Sequence, residues 1–174
     1  MKDARISEWL NTMQETQPII NALTSFIAPH TYEAGCKSIK EIKKIQRFRC
    51  AGTAFLNNIL SWSSVFSGIS VISNRKTKYH ADKGGHRSVF DLLVSCGTHS
   101  DSKINVQEFK MSFQYHPGTV FAINGTFLHH GVDSWTGGDR ICYAHYMKQK
   151  VHQRTGVGDI KWQNIRDFEE FIIP

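Results

Sequence analysis

The chain has 174 residues, 40% hydrophobic and 21% charged, with 21 Lys+Arg against 15 Asp+Glu for a net charge of +6. That is one domain of ordinary globular composition, which excludes a disordered, collagen-like or coiled-coil chain. No apolar run reaches the roughly 18 residues of a membrane span, the start MKDARISEWLNTMQETQ lacks the apolar stretch of a secretory signal, and Cys36, Cys50, Cys96 and Cys142 form no close pair; an intracellular protein with reduced thiols and no membrane partner is expected.

In chain order, Ile6, Trp9, Leu10 and Met13 recur at helical spacing. Ile19, Ile20, Leu23, Phe26 and Ile27 repeat the pattern between Pro18 and Pro29, which suits two helices bounded by the prolines. A third helix is expected over Tyr32–Ile45, with Cys36, Ile39, Ile42 and Ile45 as its apolar stripe. After Cys50 the pattern turns to strands: Val65–Ser73, Ser88–Gly97, Val106–Tyr115, Thr119–Ile123, Phe127–Val132 and Arg140–Met147, punctuated by glycines and Pro117-Gly118. Short strands with Gly-rich turns and no long intervening helix indicate a sandwich, barrel or jelly roll rather than a parallel α/β sheet. KQKVHQR reads as a surface helix and Asp159–Ile172 as a terminal one. The expected layout is a single domain with a helical part at 1–50, a β core at 51–155 and a tail at 156–174.

The chemistry-bearing stretch is NRKTKYHADKGGH, which contains His80-Ala81-Asp82. Two positions apart on a strand, an imidazole and a carboxylate share a face and can hold a divalent metal. Nine His among 174 residues, with the Asp present, produce roughly 0.4 such pairs by chance, so the motif alone is weak and a surface pair is the plain alternative. Downstream come His129-His130-Gly131, then Arg140 opening the apolar strand RICYAHYM. A second histidine and an arginine on the next strand suit an iron site fed by a dicarboxylate, because a planar guanidinium grips the far carboxylate. An edge position paired with Asp139 or Asp133 is the alternative for Arg140. His86, His99, His116 and His145 form no zinc spacing with cysteine, and His145 faces either the pocket or the core.

With these pieces in place, Ser70–Lys148 is similar to the Fe(II)/2-oxoglutarate-dependent dioxygenases, and more narrowly resembles the fungal relatives of the TET/JBP nucleobase dioxygenases. SVISNR, HAD, FDLLVSCGTH, YHPGTVFAINGTFLHHGV and WTGGDRICYAHYMK carry the resemblance. It implies an α+β fold whose core is a double-stranded β-helix (a cupin-like jelly roll) with the N-terminal helices packed on one sheet. It implies Fe(II), 2-oxoglutarate as cosubstrate and O₂. His80, Asp82 and His130 match the metal ligands; the following Gly131 favours His130 over His129, and strand neighbours face opposite ways. Arg140 matches the arginine that grips 2-oxoglutarate, with Asn74 and Cys142 near that cosubstrate. Phe121, Ile123, Phe127 and Ile141 are candidates to shield the site.

The implied substrate is a methylated nucleobase, 5-methylcytosine in DNA foremost and RNA second, which places the protein in the nucleus. A base must leave its stack to reach such a site, so a basic surface is expected beside it. Arg75, Lys76, Lys78, Lys83 and Arg87 flank the ligands, and Lys148 stands where relatives place a base-contacting histidine. Lys37, Lys40, Lys44 and Arg47, with Lys43 and Arg49 nearby, form a second basic stripe. Two departures bear on base recognition: Gly85 replaces a base-reading asparagine, and Cys142 replaces a serine. The alternatives are a same-fold hydroxylase of a protein side chain or small molecule, and a silent module that binds nucleic acid or protein.

Overall fold

The structure, a computed structural model, describes residues 2–44, 53–162 and 164. Three helices, α1 (Lys2–Ile27), α2 (Pro29–Lys44) and α3 (Thr53–Leu60), precede eight strands. These are β1 (Gly68–Ser73), β2 (Thr77–His80), β3 (Asp91–Gly97), β4 (Lys103–Val106), β5 (Met111–Gln114), β6 (Val120–Ile123), β7 (His130–Val132) and β8 (Arg140–Tyr146), and α4 (Gln149–Thr155) follows. Every strand pair is antiparallel. The strands form two four-stranded sheets, ordered β1-β8-β3-β6 and β2-β7-β4-β5. Successive strands alternate between the two sheets except at the β4–β5 hairpin, which makes a jelly roll, the double-stranded β-helix expected above.

Alternation along the strands divides the core into two layers. Leu92 packs outward with Ile20, Ala34, Phe66 and Met147, under the helices. Leu93 packs inward with Ile104, Val106, Tyr115, Ile123, Val132 and Cys142, between the sheets. Full burial of a side chain such as Leu92 or Phe66 stabilises by about 1.5–3 kcal/mol. On β8 the same parity sends Cys142 inward and His145 out to the helices, where Gln17 Nε2 donates to its Nε2 at 3.1 Å. His145 thus belongs to the helix contact, and burial holds its pKa below the ordinary histidine value.

Several local expectations change. Residues 2–27 form one helix, not two, and Pro18 lies inside it. The buried positions Leu10, Met13, Gln17, Ile20 and Thr24 run along one face across the proline, while Pro18 is exposed on the other. Continuous packing overrides the break that a proline invites. Helix α2 begins at Pro29, and it buries Thr31, Ala34, Gly35 and Ser38 rather than the expected stripe; Cys36 is exposed. Small residues let α2 approach α4, where the Ser38 and Thr155 hydroxyls meet at 3.0 Å. Helix α3 lies beyond residue 50. The run Val106–Tyr115 divides at a turn in which Lys110 takes a φ of 53°, and Phe127–Leu128 belong to the turn before β7. Residues 157–162 are not helical; the rest of the expected terminal helix, and Ile45, Arg47 and Arg49, lie outside the described residues.

The segment KQKVHQR is helical as expected, but its helix is docked: His152 is 1% exposed and neither ring nitrogen has a hydrogen-bond partner. Its ring lies 5.5 Å from that of His86. Burial, then the neighbouring His86, pushes the His152 pKa down to about 4.

Two outcomes follow. Pro18→Ala should raise stability by roughly 1–2 kcal/mol, seen as a higher Tm, because an exposed helical site gains an N–H and loses a ring clash; a lower Tm would contradict the unbroken helix. The folded state also refuses a proton at His152 that the unfolded chain accepts below about pH 6.5. Stability is therefore complete at neutral pH and falls as pH drops toward about 4. Tm measured against pH should slope less steeply in His152→Phe; an unchanged slope would assign the acid sensitivity elsewhere.

Candidate metal centre

Antiparallel pairing sets the centre. In the β2–β7 ladder His80 stands opposite His130, so their side chains share a face and their rings lie 4.7 Å apart. Asp82 is not on β2, which ends at His80. Its N–H donates to the Gly125 carbonyl at 2.7 Å, and this tie brings the carboxylate back to the histidines. Asp82 Oδ1 lies 3.8 Å from His80 Nε2, and Oδ2 lies 3.8 Å from His130 Nε2. All three ligand atoms fall within 4.8 Å of one another. These spacings are long for hydrogen bonds and suit donors around one small cation.

The imidazoles are oriented for that role. His80 Nδ1 lies 2.9 Å from the Lys78 carbonyl and His130 Nδ1 lies 3.0 Å from the Leu128 carbonyl. A carbonyl accepts, so each Nδ1 carries the proton and each Nε2 keeps its lone pair for the centre. Burial holds the His130 pKa below its ordinary value, which keeps the ring neutral and able to ligate. His129 points away: its Nδ1 meets Glu108 Oε1 at 2.7 Å, and its backbone N–H donates to Glu108 Oε2 at 2.9 Å.

Arg140 lines the same narrow cavity as His80, His130, Tyr115, Cys142 and Thr77. It is 3% exposed. One Nη1 donates to the Arg75 carbonyl at 3.3 Å, and its guanidinium carbon lies 5.6 and 5.7 Å from the Tyr115 and Trp135 ring centroids. Its Nε has no partner. Among the described residues no carboxylate pairs with it, neither Asp139 nor Asp133. A buried cation without an anion costs several kcal/mol, which makes Arg140 a candidate to pair with a carboxylate brought by a ligand. Cys142 Sγ and the Tyr115 hydroxyl meet at 3.3 Å. Burial raises the pKa of both, so they form a neutral wall.

Asn74 does not line the cavity. Its Oδ1 accepts the Arg140 N–H at 2.8 Å, its own N–H donates to the Arg140 carbonyl at 2.8 Å, and its Nδ2 donates to Asp139 Oδ1 at 2.8 Å. With a φ of 49° it closes the β1–β8 ladder and fixes the backbone that carries the guanidinium. The expected apolar shield is also redistributed. Ile72, Leu93, Ile104 and Val132 wall the cavity, whereas Phe121 stacks on Phe113 and Phe127 is exposed. Ile141 is offset by one residue from Arg140 and Cys142 and so faces the other side of its sheet.

Asp91 went unread in the sequence. It is buried beside Asp82, and its pKa rises to about 7 through burial first and the Asp82 charge second. A Cβ added to Gly125 would stand 2.7 Å from an oxygen of each carboxylate, so only glycine lets this turn seat both. Its signal was a carboxylate opening the apolar run DLLVSCG, the same oddity that singled out Arg140.

The basic residues separate into groups. Lys83 and Arg87 are exposed on the loop after Asp82. Lys148 joins them: its Nζ donates to the Lys83 carbonyl at 3.1 Å, and its backbone bridges Gly85. Arg75 and Lys76 are exposed in the β1–β2 turn, and Lys78 lines a separate surface groove with Asn105 and Asp133. Gly85 has a packing reason, since a Cβ there would stand 2.6 Å from Thr126 Oγ1.

A family model described as Tet_JBP, oxygenase domain of the 2OGFeDO superfamily, matches residues 2–149. No curated protein matches the chain. Among solved structures, NgTET1 in complex with 5mC DNA is similar at 18% identity and a TM-score of 0.46, over 56% of this chain and 38% of that one. A Cupin 2 conserved barrel domain protein from Salinispora arenicola is similar at 14% identity and a TM-score of 0.38, over 51% of this chain and 68% of that one. The chain thus spans 38% of the length of the first of these.

Calorimetric titration with Mn(II) separates the adjacent histidines. His130→Ala should weaken binding by at least roughly a hundredfold, and His129→Ala should leave it within about twofold. Equal losses in the two variants would contradict the assignment.

Proposed function

The chain belongs to the Tet_JBP family, the oxygenase domain of the 2OGFeDO superfamily, and from that premise we propose that it oxidises a methylated nucleobase, 5-methylcytosine in DNA. It is an Fe(II)- and 2-oxoglutarate-dependent dioxygenase. The observation that carries the site assignment is the buried Arg140, its Nε unpartnered, in one cavity with His80 and His130. Iron with 2-oxoglutarate and O₂ supplies the oxidising chemistry when bound.

On this reading the chain's own residues do the following. His80 and His130 present Nε2 lone pairs, and Asp82 adds the negative charge that a divalent ion requires. The carbonyls of Lys78 and Leu128 hold the two rings in the ligating tautomer. Arg140 holds the far carboxylate of the cosubstrate, and Asn74 holds Arg140. Tyr115 and Cys142 stay neutral, so they do not compete for the guanidinium. Asp91 positions Asp82 through the Gly125 peptide, whose N–H bonds Asp91 and whose carbonyl accepts from Asp82.

The resemblance of Ser70–Lys148 to nucleobase dioxygenases supports the substrate class. The cationic rim of Lys83, Arg87 and Lys148 supports a phosphate-bearing partner. One observation favours the second reading, a hydroxylase of a small molecule or protein side chain: Gly85 and the Thr126 packed on it leave no base-reading side chain there.

The test is nucleoside mass spectrometry after incubation with 5-methylcytosine-containing DNA or RNA, Fe(II) and 2-oxoglutarate. Loss of 5-methylcytosine and gain of its hydroxymethyl product from DNA is expected, dependent on both additions and reduced at least roughly a hundredfold in His80→Ala. Unchanged methylcytosine, with 2-oxoglutarate turnover stimulated by a metabolite extract instead, would transfer the case to the second reading.

A further inference from the structure

On the turn between β6 and β7 and in the segment after α4, two large aromatic rings stand open to solvent. Phe127 is 44% exposed and Trp162 55% exposed, with ring centroids 5.5 Å apart. The guanidinium carbon of Arg87 lies 5.7 Å from the Phe127 centroid. Exposed rings in mutual contact form a patch, and a contiguous apolar patch marks a contact surface where scattered single residues do not; here a cation stacks on it.

The chain ties this cluster to the rim of the site. Phe127 follows two residues after Gly125, the glycine wedged against Asp82 and Asp91, which places it within about 7 Å of that turn along the chain. Its N–H donates to the Asn124 carbonyl at 3.2 Å. Asn124 Nδ2 donates to the Arg87 carbonyl at 2.6 Å, and Thr126 covers Gly85. The loop after Asp82 and the β6–β7 turn are thus one rim, with Lys83 and Arg87 exposed on it. Among the described residues neither of these two cations forms an ion pair.

We infer that Phe127 and Trp162 form a stacking shelf for an unpaired base next to the target nucleotide, with Lys83 and Arg87 set to meet its phosphates. This rests on the nucleobase reading above and adds the substrate's form: a single strand, or a duplex opened locally. Every base offers a π-face, so such a shelf adds affinity without reading sequence. In an intact duplex the bases are stacked on one another and offer the shelf no face. The rim cations explain why the occupant is a nucleotide and not an apolar peptide: an apolar partner would bury them unpaired.

The experiment is fluorescence anisotropy of the full chain with a short single-stranded DNA carrying one 5-methylcytosine. Phe127→Leu and Trp162→Leu keep apolar bulk and lose the ring, and each should weaken binding at least roughly tenfold. Phe127→Tyr keeps the π-face and should bind within about twofold of the parent, and unchanged Tm values show that all variants fold. Wild-type affinity in both leucine variants would overturn the shelf and leave the nucleobase reading standing. No binding by the wild-type protein itself would overturn that reading and the shelf with it.

Discussion

A single buried cation organises this protein. Arg140 begins a core strand, is almost wholly removed from water, and has no anion among the described residues. One carbonyl and the faces of Tyr115 and Trp135 are its company. Those contacts orient a guanidinium but do not neutralise it, and a low-dielectric interior makes the remaining charge expensive. The fold supports the expense locally. Asn74, in a left-handed conformation, binds both backbone groups of Arg140, and the β1–β8 ladder continues from that clamp. On the proposed reading, a dicarboxylate that reaches the histidines of the same cavity would supply the missing charge.

The candidate metal centre depends on register rather than on sequence proximity. His80 and His130 meet because β2 and β7 pair with those two residues opposite each other. A slip of one residue would bring His129 into place and send His130 to the surface. The bond network opposes that slip, since Glu108 holds His129 through both its ring and its backbone N–H. Asp82 is controlled separately, by the peptide of Gly125, which also contacts Asp91. Asp91 lies buried beside Asp82, and burial first, then the Asp82 charge, raises its pKa to about 7.

The β core was legible because period-two alternation and glycine turns leave a strong local signal, and the candidate ligands because His80 and His130 stand at strand ends with a carboxylate two residues from the first. What escaped was set by tertiary contacts. Pro18 marks a break by its own chemistry, yet a buried stripe on the opposite face carries the helix through. Apolar spacing in α2 pointed to Cys36, while the buried face is made of Thr31, Ala34, Gly35 and Ser38, chosen for close approach rather than hydropathy. Asn74 was singled out for the cosubstrate, and the contact that the structure shows is with the backbone of Arg140. Asp91 was hidden because its neighbour Asp82 is close only in space.

The most direct test of the central claim compares 2-oxoglutarate with 2-oxobutyrate, which keeps the keto acid and lacks the far carboxylate. Binding to the Mn(II)-loaded protein is measured by calorimetry, in the wild type and in Arg140→Met. The account predicts that the wild type prefers the diacid by at least roughly a hundredfold, as a buried charge pair warrants, and that Arg140→Met loses the preference. Equal affinity for the two acids in the wild type would contradict it.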